Sequence, residues 1–193
     1  MTPAPSDASI TNAVLLTVFT TLSLGLIGFI AKYLNDLAIA RRRDRLDRVN
    51  TQLRLLYGPL FALTKASAEN WKSFYGRYRT DGPFFPKDGP QPTELELEAW
   101  RLWMSKVFMP LNRRMMDVII SNADLLEGEM PIEFTDLVEH VSAYEVVLAR
   151  WKLKDFSEHI STHNYPDRIA ARVKDDYDKL RSYQHELLKK NRS

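Results

Sequence analysis

The sequence predicts an all-α protein in which a single N-terminal transmembrane helix is followed by a cytoplasmic antiparallel bundle of four or five helices. Three observations carry this reading. Residues 8–31 contain no charged side chain and are followed at once by Lys32 and then by the cluster Arg41, Arg42, Arg43, Arg45 and Arg48. Beyond the cluster, apolar residues return every three, four or seven positions, the spacing of a helix face. No segment alternates apolar and polar residues with the period of two that marks a half-buried strand.

The apolar run is an anchor by its dimensions. A helix over residues 13–31 is about 28 Å long at about 1.5 Å per residue, which matches a hydrocarbon core of about 30 Å. A cleaved signal peptide needs a positively charged leader, a shorter apolar stretch and a small-x-small cleavage site. The first twelve residues, MTPAPSDASITN, contain no Lys or Arg, and GFIAKYLN after the run offers no such site. Lys and Arg accumulate on the cytoplasmic side of a span, so an N-terminal flank without Lys or Arg and an arginine-rich C-terminal flank predict the N-terminus outside and the body in the cytoplasm. The expected organisation is an extracytoplasmic tail over 1–12, a transmembrane helix over 13–33, a basic juxtamembrane amphipathic helix over 34–57 and the bundle over 58–193.

Charge is distributed in the same sense. The chain carries 27 Lys and Arg against 25 Asp and Glu, and every basic residue lies at or after Lys32. Seven of the basic residues and four of the acidic ones precede Leu55, so the remaining chain holds 20 against 21 and is close to neutral. The pI near 8.8 is therefore a local property of the arginine cluster. Nucleic-acid binding needs basic surface on the folded body, which argues against it here. A collar of arginines beside a span sets topology and meets anionic lipid, at about 1 kcal/mol per residue near the surface. The absence of Cys excludes disulfides and thiol chemistry.

The helices can be placed in order. Ile39, Leu46, Val49, Leu53, Leu56, Leu60 and Leu63 form one apolar seam, interrupted at Arg42. Gly58 and Pro59 lie within it, and since proline lacks an N–H and crowds the preceding turn, a kink or a restart with Pro59 in a first turn is expected. Trp71, Phe74, Tyr75 and Tyr78 continue the face. The stretch TDGPFFPKDGPQPT over 80–93 holds four Pro and two Gly and reads as a loop. Thr93 and Glu96 have capping-box spacing and open a second helical section, with Leu95, Ala99, Leu102 and Trp103 as its stripe. Pro110 divides or kinks that section ahead of Met115, Met116, Ile119 and Ile120, and Gly128 with Pro131 closes it. A helix over 132–151 follows, with Leu137, Val141, Tyr144, Leu148 and Trp151 on one face. A connector through Phe156 and Ile160 leads to a last helix that begins near Pro166 and carries Ile169, Val173, Tyr177, Leu180 and Leu187.

Candidate sites are few. His159 and His163, with Asp155 one turn earlier, would share a face if helical, and they are the best metal signal in the chain. Two imidazoles leave a tetrahedral site incomplete, so the expectation is no metal and no cofactor. None of the four histidines has an acidic residue three positions before it, which disfavours a di-iron bundle. There is no phosphate-binding glycine loop, no Gly-x-Ser-x-Gly elbow and no His-Glu-x-x-His motif. Glu94, Glu96 and Glu98 suit a helix N-terminus electrostatically, and Asp175, Asp176 and Asp178 read as a solvated face beside Lys174 and Lys179. Trp71, Trp100, Trp103 and Trp151 are expected in the core, while Phe84 and Phe85 either fold back on the body or meet a partner. Thr17, Thr21, Gly25 and Gly28 place small side chains along one face of the span, where a second helix could approach closely, and so predict a homodimer contact in the membrane.

Together these features predict a membrane-anchored interaction or regulatory module whose partners are anionic membrane lipids and a protein, with no nucleic acid and, more in keeping with the missing motifs, no enzymatic activity. Two other classes remain consistent with the residues. One is a membrane-acting effector or small subunit of a membrane complex, and the other is an enzyme whose site carries no recognised motif.

Overall fold

The structure, a computed structural model, describes residues 7–79 and 82–189. It is all-α, with no strand among the described residues. The chain separates into two compact units, the first ending at Asp47 and the second beginning at Arg48.

The first unit is the greater part of α1 (Asp7–Gln52). None of its apolar 18-residue stretch is buried, and Leu16, Phe19, Leu22 and Leu24 are each at least 65% exposed. Its hydroxyl groups turn back onto the helix. Thr21 Oγ1 donates to Thr17 O (2.8 Å), Ser23 Oγ to Phe19 O (2.8 Å) and Thr20 Oγ1 to Leu16 O (2.9 Å).

The second unit opens with the last residues of α1, where Val49 and Gln52 are buried. A π-helical turn (Leu53–Tyr57) then passes directly into α2 (Gly58–Tyr78). The same arrangement recurs downstream. Helix α3 (Glu94–Trp103) runs through a second π turn (Met104–Phe108) into α4 (Met109–Ser121). Each π turn ends immediately before an X-Pro pair, Gly58–Pro59 and Met109–Pro110, with the proline in the first turn of the following helix. Proline supplies no N–H and its ring crowds the carbonyl four residues back. Widening that turn by one residue removes the conflict, because Gly58 N–H donates to Leu53 O and Met109 N–H to Met104 O, five residues back. The expected kink or restart is thus a π turn, and the helix axis continues through it. A β-carbon at Gly58 would collide with Leu53 O, so the glycine is required by this close approach. Helices α5 (Ile132–Lys152) and α6 (Ile169–Lys189) complete four continuous helical stretches among the described residues.

The capping box at Thr93 is present. Thr93 Oγ1 accepts from Glu96 N–H, and Glu96 Oε2 accepts from Thr93 N–H at 2.7 Å. These bonds hold the Glu96 carboxyl below its usual range, first through the Thr93 backbone. Thr93→Ala removes the cap and is expected to cost about 1 kcal/mol, read as a lower denaturant midpoint with an unchanged slope. Helix α4 stops at Ser121, earlier than the Gly128–Pro131 signal suggests. Asn122 leaves helical geometry and its side chain donates to Val118 O (2.8 Å), ending the helix before a short 3₁₀ turn (Ala123–Leu125). Helix α5 ends with Lys154 N–H on Trp151 O and Asp155 N–H on Arg150 O, and with Lys154 at φ 64°, where glycine is favoured.

Helix α2 packs on α4 and α6, and α5 packs on α4 and α6. The seam read from the sequence is the core where it lies in this unit, since Val49, Leu53, Leu56 and Leu60 are all at most 9% exposed. A second part of the core is aromatic. Phe74 is fully buried among Tyr78, Phe84, Trp100, Trp103 and Phe108, with ring centroids 5.1–5.9 Å apart. Phe84 and Phe85 fold back onto this cluster, both within 5.2 Å of Trp100. Trp71 lies against the cluster but remains 41% exposed, a departure from the fully core position expected of it.

Candidate functional site

The side chains singled out in the sequence fall in three places. Thr17, Thr21, Gly25 and Gly28 lie on the exposed helix of the first unit, and a β-carbon at either glycine would meet nothing within 4 Å. Arg41, Arg43, Arg45 and Arg48 are exposed, Arg42 is half-buried, and Arg48 reaches to 4.0 Å from Glu127. The third group, Asp155, His159 and His163, lies on a connector over residues 153–168.

That connector is not helical, so the four-residue spacing does not place the three side chains on one face. Asp155 Oδ1 accepts from Ser157 N–H (3.0 Å) and Oγ–H (2.6 Å), and these bonds lower its pKa. The His159 ring lies parallel to Phe85 at 6.3 Å, and His163 Nδ1 is 3.4 Å from Glu139 Oε2. Among the described residues, no group of three His, Cys, Asp or Glu side chains is arranged to hold a metal ion.

The connector is instead held through its backbone. Four buried or largely buried side chains from α3 and α5 donate to its carbonyls, each at 2.8 Å. Trp151 Nε1 donates to Glu158 O, Trp100 Nε1 and the Tyr144 hydroxyl both donate to His159 O, and His140 Nδ1 donates to His163 O. Ser161 Oγ adds a fifth bond to His163 O (2.6 Å). A chain segment outside regular secondary structure must find partners for its carbonyls, and here large amphipathic side chains supply them from within the core. Burial pushes the Tyr144 phenol up, and that of Tyr165 up to about 12, so both stay neutral and Tyr144 remains a donor.

His140 is the centre of this network. It is 5% exposed and packs against Tyr144 and Tyr165 at 5.4 and 5.7 Å. With Nδ1–H given to His163 O, Nε2 accepts from Asn112 Nδ2 at 3.3 Å. Asn112 is itself 3% exposed, and its Oδ1 is buried without a partner. Neither residue stood out in the sequence. Asn112 lies three positions from both Met109 and Met115, and a polar residue on that buried stripe was the available signal.

A second polar feature is a cleft of about 230 Å³ between the start of the bundle and α6, lined by Gln52, Tyr57, Glu127, Arg172, Asp176 and Lys179 among others. Gln52 Nε2 donates to Leu125 O (2.8 Å). Burial raises the Tyr57 phenol to about 12, with Asp176 adding to the effect. The charges of the cleft are largely matched to each other, since Arg172 Nε donates to Asp176 Oδ2 at 2.7 Å and Lys179 lies 3.8 Å from the same carboxylate. Among the described residues lining the cleft, no nucleophile is hydrogen-bonded to a base.

Comparison with protein-family models, with curated proteins and with solved structures finds no match.

Proposed function

We propose that this protein is a single-pass membrane protein that displays a helical body at the cytoplasmic face, where the body acts as an interaction or regulatory module. The observation that supports this most directly is the first unit: a long apolar helix with no part of its apolar stretch covered by the protein. In water that surface would be an association liability, whereas in a bilayer it is the required surface. Its Thr and Ser hydroxyls bond to the helix's own carbonyls, which suits a medium that offers them no other partner. Exposed Arg41, Arg43, Arg45 and Arg48 on one side of the span, with no basic residue on the other, support the orientation with the body inside. Lipid headgroups are the partners this collar suits, and the span's small-residue face suits a second copy of the chain.

The body supports binding better than catalysis. Buried His140 and Tyr144 hold the connector, and in the cleft Arg172 and Lys179 both lie against Asp176. The partner test is crosslinking in native membranes followed by mass spectrometry. A protein crosslinked reproducibly through the body, and lost on unfolding it, supports the module reading. Depolarisation of membranes on expression, without such a partner, would favour a membrane-acting effector instead.

A further inference from the structure

We propose that the second half of the connector, residues 160–168, is a strap that opens on acidification, with His140 as its latch and Asn112 as the group that registers the imidazole's proton. In the closed state the neutral ring has one role at each nitrogen. Nδ1–H donates to His163 O at 2.8 Å, and Nε2 accepts from the Asn112 amide at 3.3 Å. Protonation puts a hydrogen on Nε2, so two donors then face each other across that contact. Turning the amide over would present Asn112 Oδ1, the buried oxygen that has no partner in the closed state.

That rearrangement leaves a buried charge without a counter-ion. The groups around the ring are neutral on every element packed against it. Helix α4 offers Asn112, α2 offers Ser67 through its hydrogen bond with the Tyr165 hydroxyl, α5 offers Tyr144, and the connector offers Tyr165 and the His163 carbonyl. Glu139 and Asp167 lie outside this shell. Glu139 faces the His163 ring with about half its side chain exposed, and Asp167 acts on Tyr165. Burial is accordingly the leading cause that lowers the His140 pKa; it outweighs the bond from Nδ1–H to the His163 carbonyl, which favours the charged ring, and the His163 ring lowers the value further.

The sign follows. A histidine whose pKa is lower in the closed state than in the open state binds its proton preferentially when open. Closure is therefore favoured at and above the ordinary imidazole value of about 6.5 and is lost as pH falls below it, by up to tenfold per pH unit until the lowered value is reached. The opening is confined to the second half of the connector. Its first half keeps three bonds that do not titrate in this range, from Trp100 and Tyr144 to His159 O and from Trp151 to Glu158 O. Release of His163 O frees the segment that buries Pro166 and places Tyr165 against α2 and α5, so acid uncovers those faces of the body.

The test places a single thiol under the strap, as Pro166→Cys, in the full chain in nanodiscs, and measures its rate of reaction with a pyridyl disulfide at pH 7.5 and pH 5.0, each divided by that of the unfolded chain at the same pH. Protection of this thiol is expected to fall at least tenfold at pH 5.0, while hydrogen-exchange protection of the bonded amides of Leu153, Lys154 and Asp155 changes less than threefold. His140→Gln keeps a donor and an acceptor without titrating, and should abolish the pH dependence. Asn112→Asp supplies the missing counter-charge, and should keep the strap closed at pH 5.0, giving an independent result if the first variant does not fold. Equal protection of the parent at both pH values would overturn the inference. So would undiminished acid opening in both variants, which would assign it to another group.

Discussion

Replacing Leu22 and Leu24 with Arg is expected to move the protein from the membrane to the soluble fraction. Both side chains are about 70% exposed on the apolar helix, and they stand near the middle of the span expected over 13–33. An arginine at the centre of a transmembrane helix costs about 2.5–3.5 kcal/mol on the insertion scale, so the pair costs roughly 5–7 kcal/mol. That matches or exceeds the roughly 5 kcal/mol that the five collar arginines can recover through lipid contact, at about 1 kcal/mol each close to the surface. Because the affected helix and the body are separate compact units, the body should retain its fold, giving a soluble chain with unchanged near-UV circular dichroism. Retention of the double variant in carbonate-washed membranes would show that something other than this helix holds the protein there.

Phe74→Ala is expected to be among the most damaging single truncations of the body. The side chain is fully buried and its ring meets six others, those of Trp71, Tyr78, Phe84, Trp100, Trp103 and Phe108. Removing it loses the transfer free energy of the ring and leaves a cavity whose walls are themselves rigid rings with little freedom to collapse. A cost of about 3–5 kcal/mol follows. Since Phe84 reaches the body through this ring and Trp100, the 82–93 loop should also become sensitive to protease. A thermal midpoint within about 2 °C of the parent would contradict that account of the core.

Much of this architecture was legible in the sequence because it depends on local pattern. The apolar run, the Thr93–Glu96 cap and the Leu53–Leu56–Leu60 seam each rest on spacing within one or two turns, and spacing survives whatever the rest of the chain does. Pro59 and Pro110 marked the right places but not the local geometry. Whether a helix answers a proline by kinking, restarting or widening into a π turn depends on what packs against both sides, and here continuity is kept on both occasions. What the histidine spacing meant was hidden for a related reason. His159 and His163 are four apart, but the segment that holds them is fixed by bonds from Trp100, Tyr144, Trp151 and His140, residues up to 59 positions away. The Asn112–His140 pair was equally hidden, since each residue is unremarkable alone and only the packing of α4 on α5 joins them. The aromatic loop residues Phe84 and Phe85 stood out in the sequence, but nothing local chose between the body and a partner as the surface they meet.

We propose that the chain spans a membrane once, with its body on the cytoplasmic side. The chain contains no cysteine, so a single one can be introduced and read without background. Asn12→Cys and Asn164→Cys place a thiol at exposed positions before the span and on the connector. Each variant is expressed in intact cells and treated with a membrane-impermeant maleimide before and after lysis. Position 12 is expected to be labelled in intact cells, and position 164 only once the membrane is opened. Labelling of position 164 from outside, or the absence of labelling at position 12 until lysis, would contradict it.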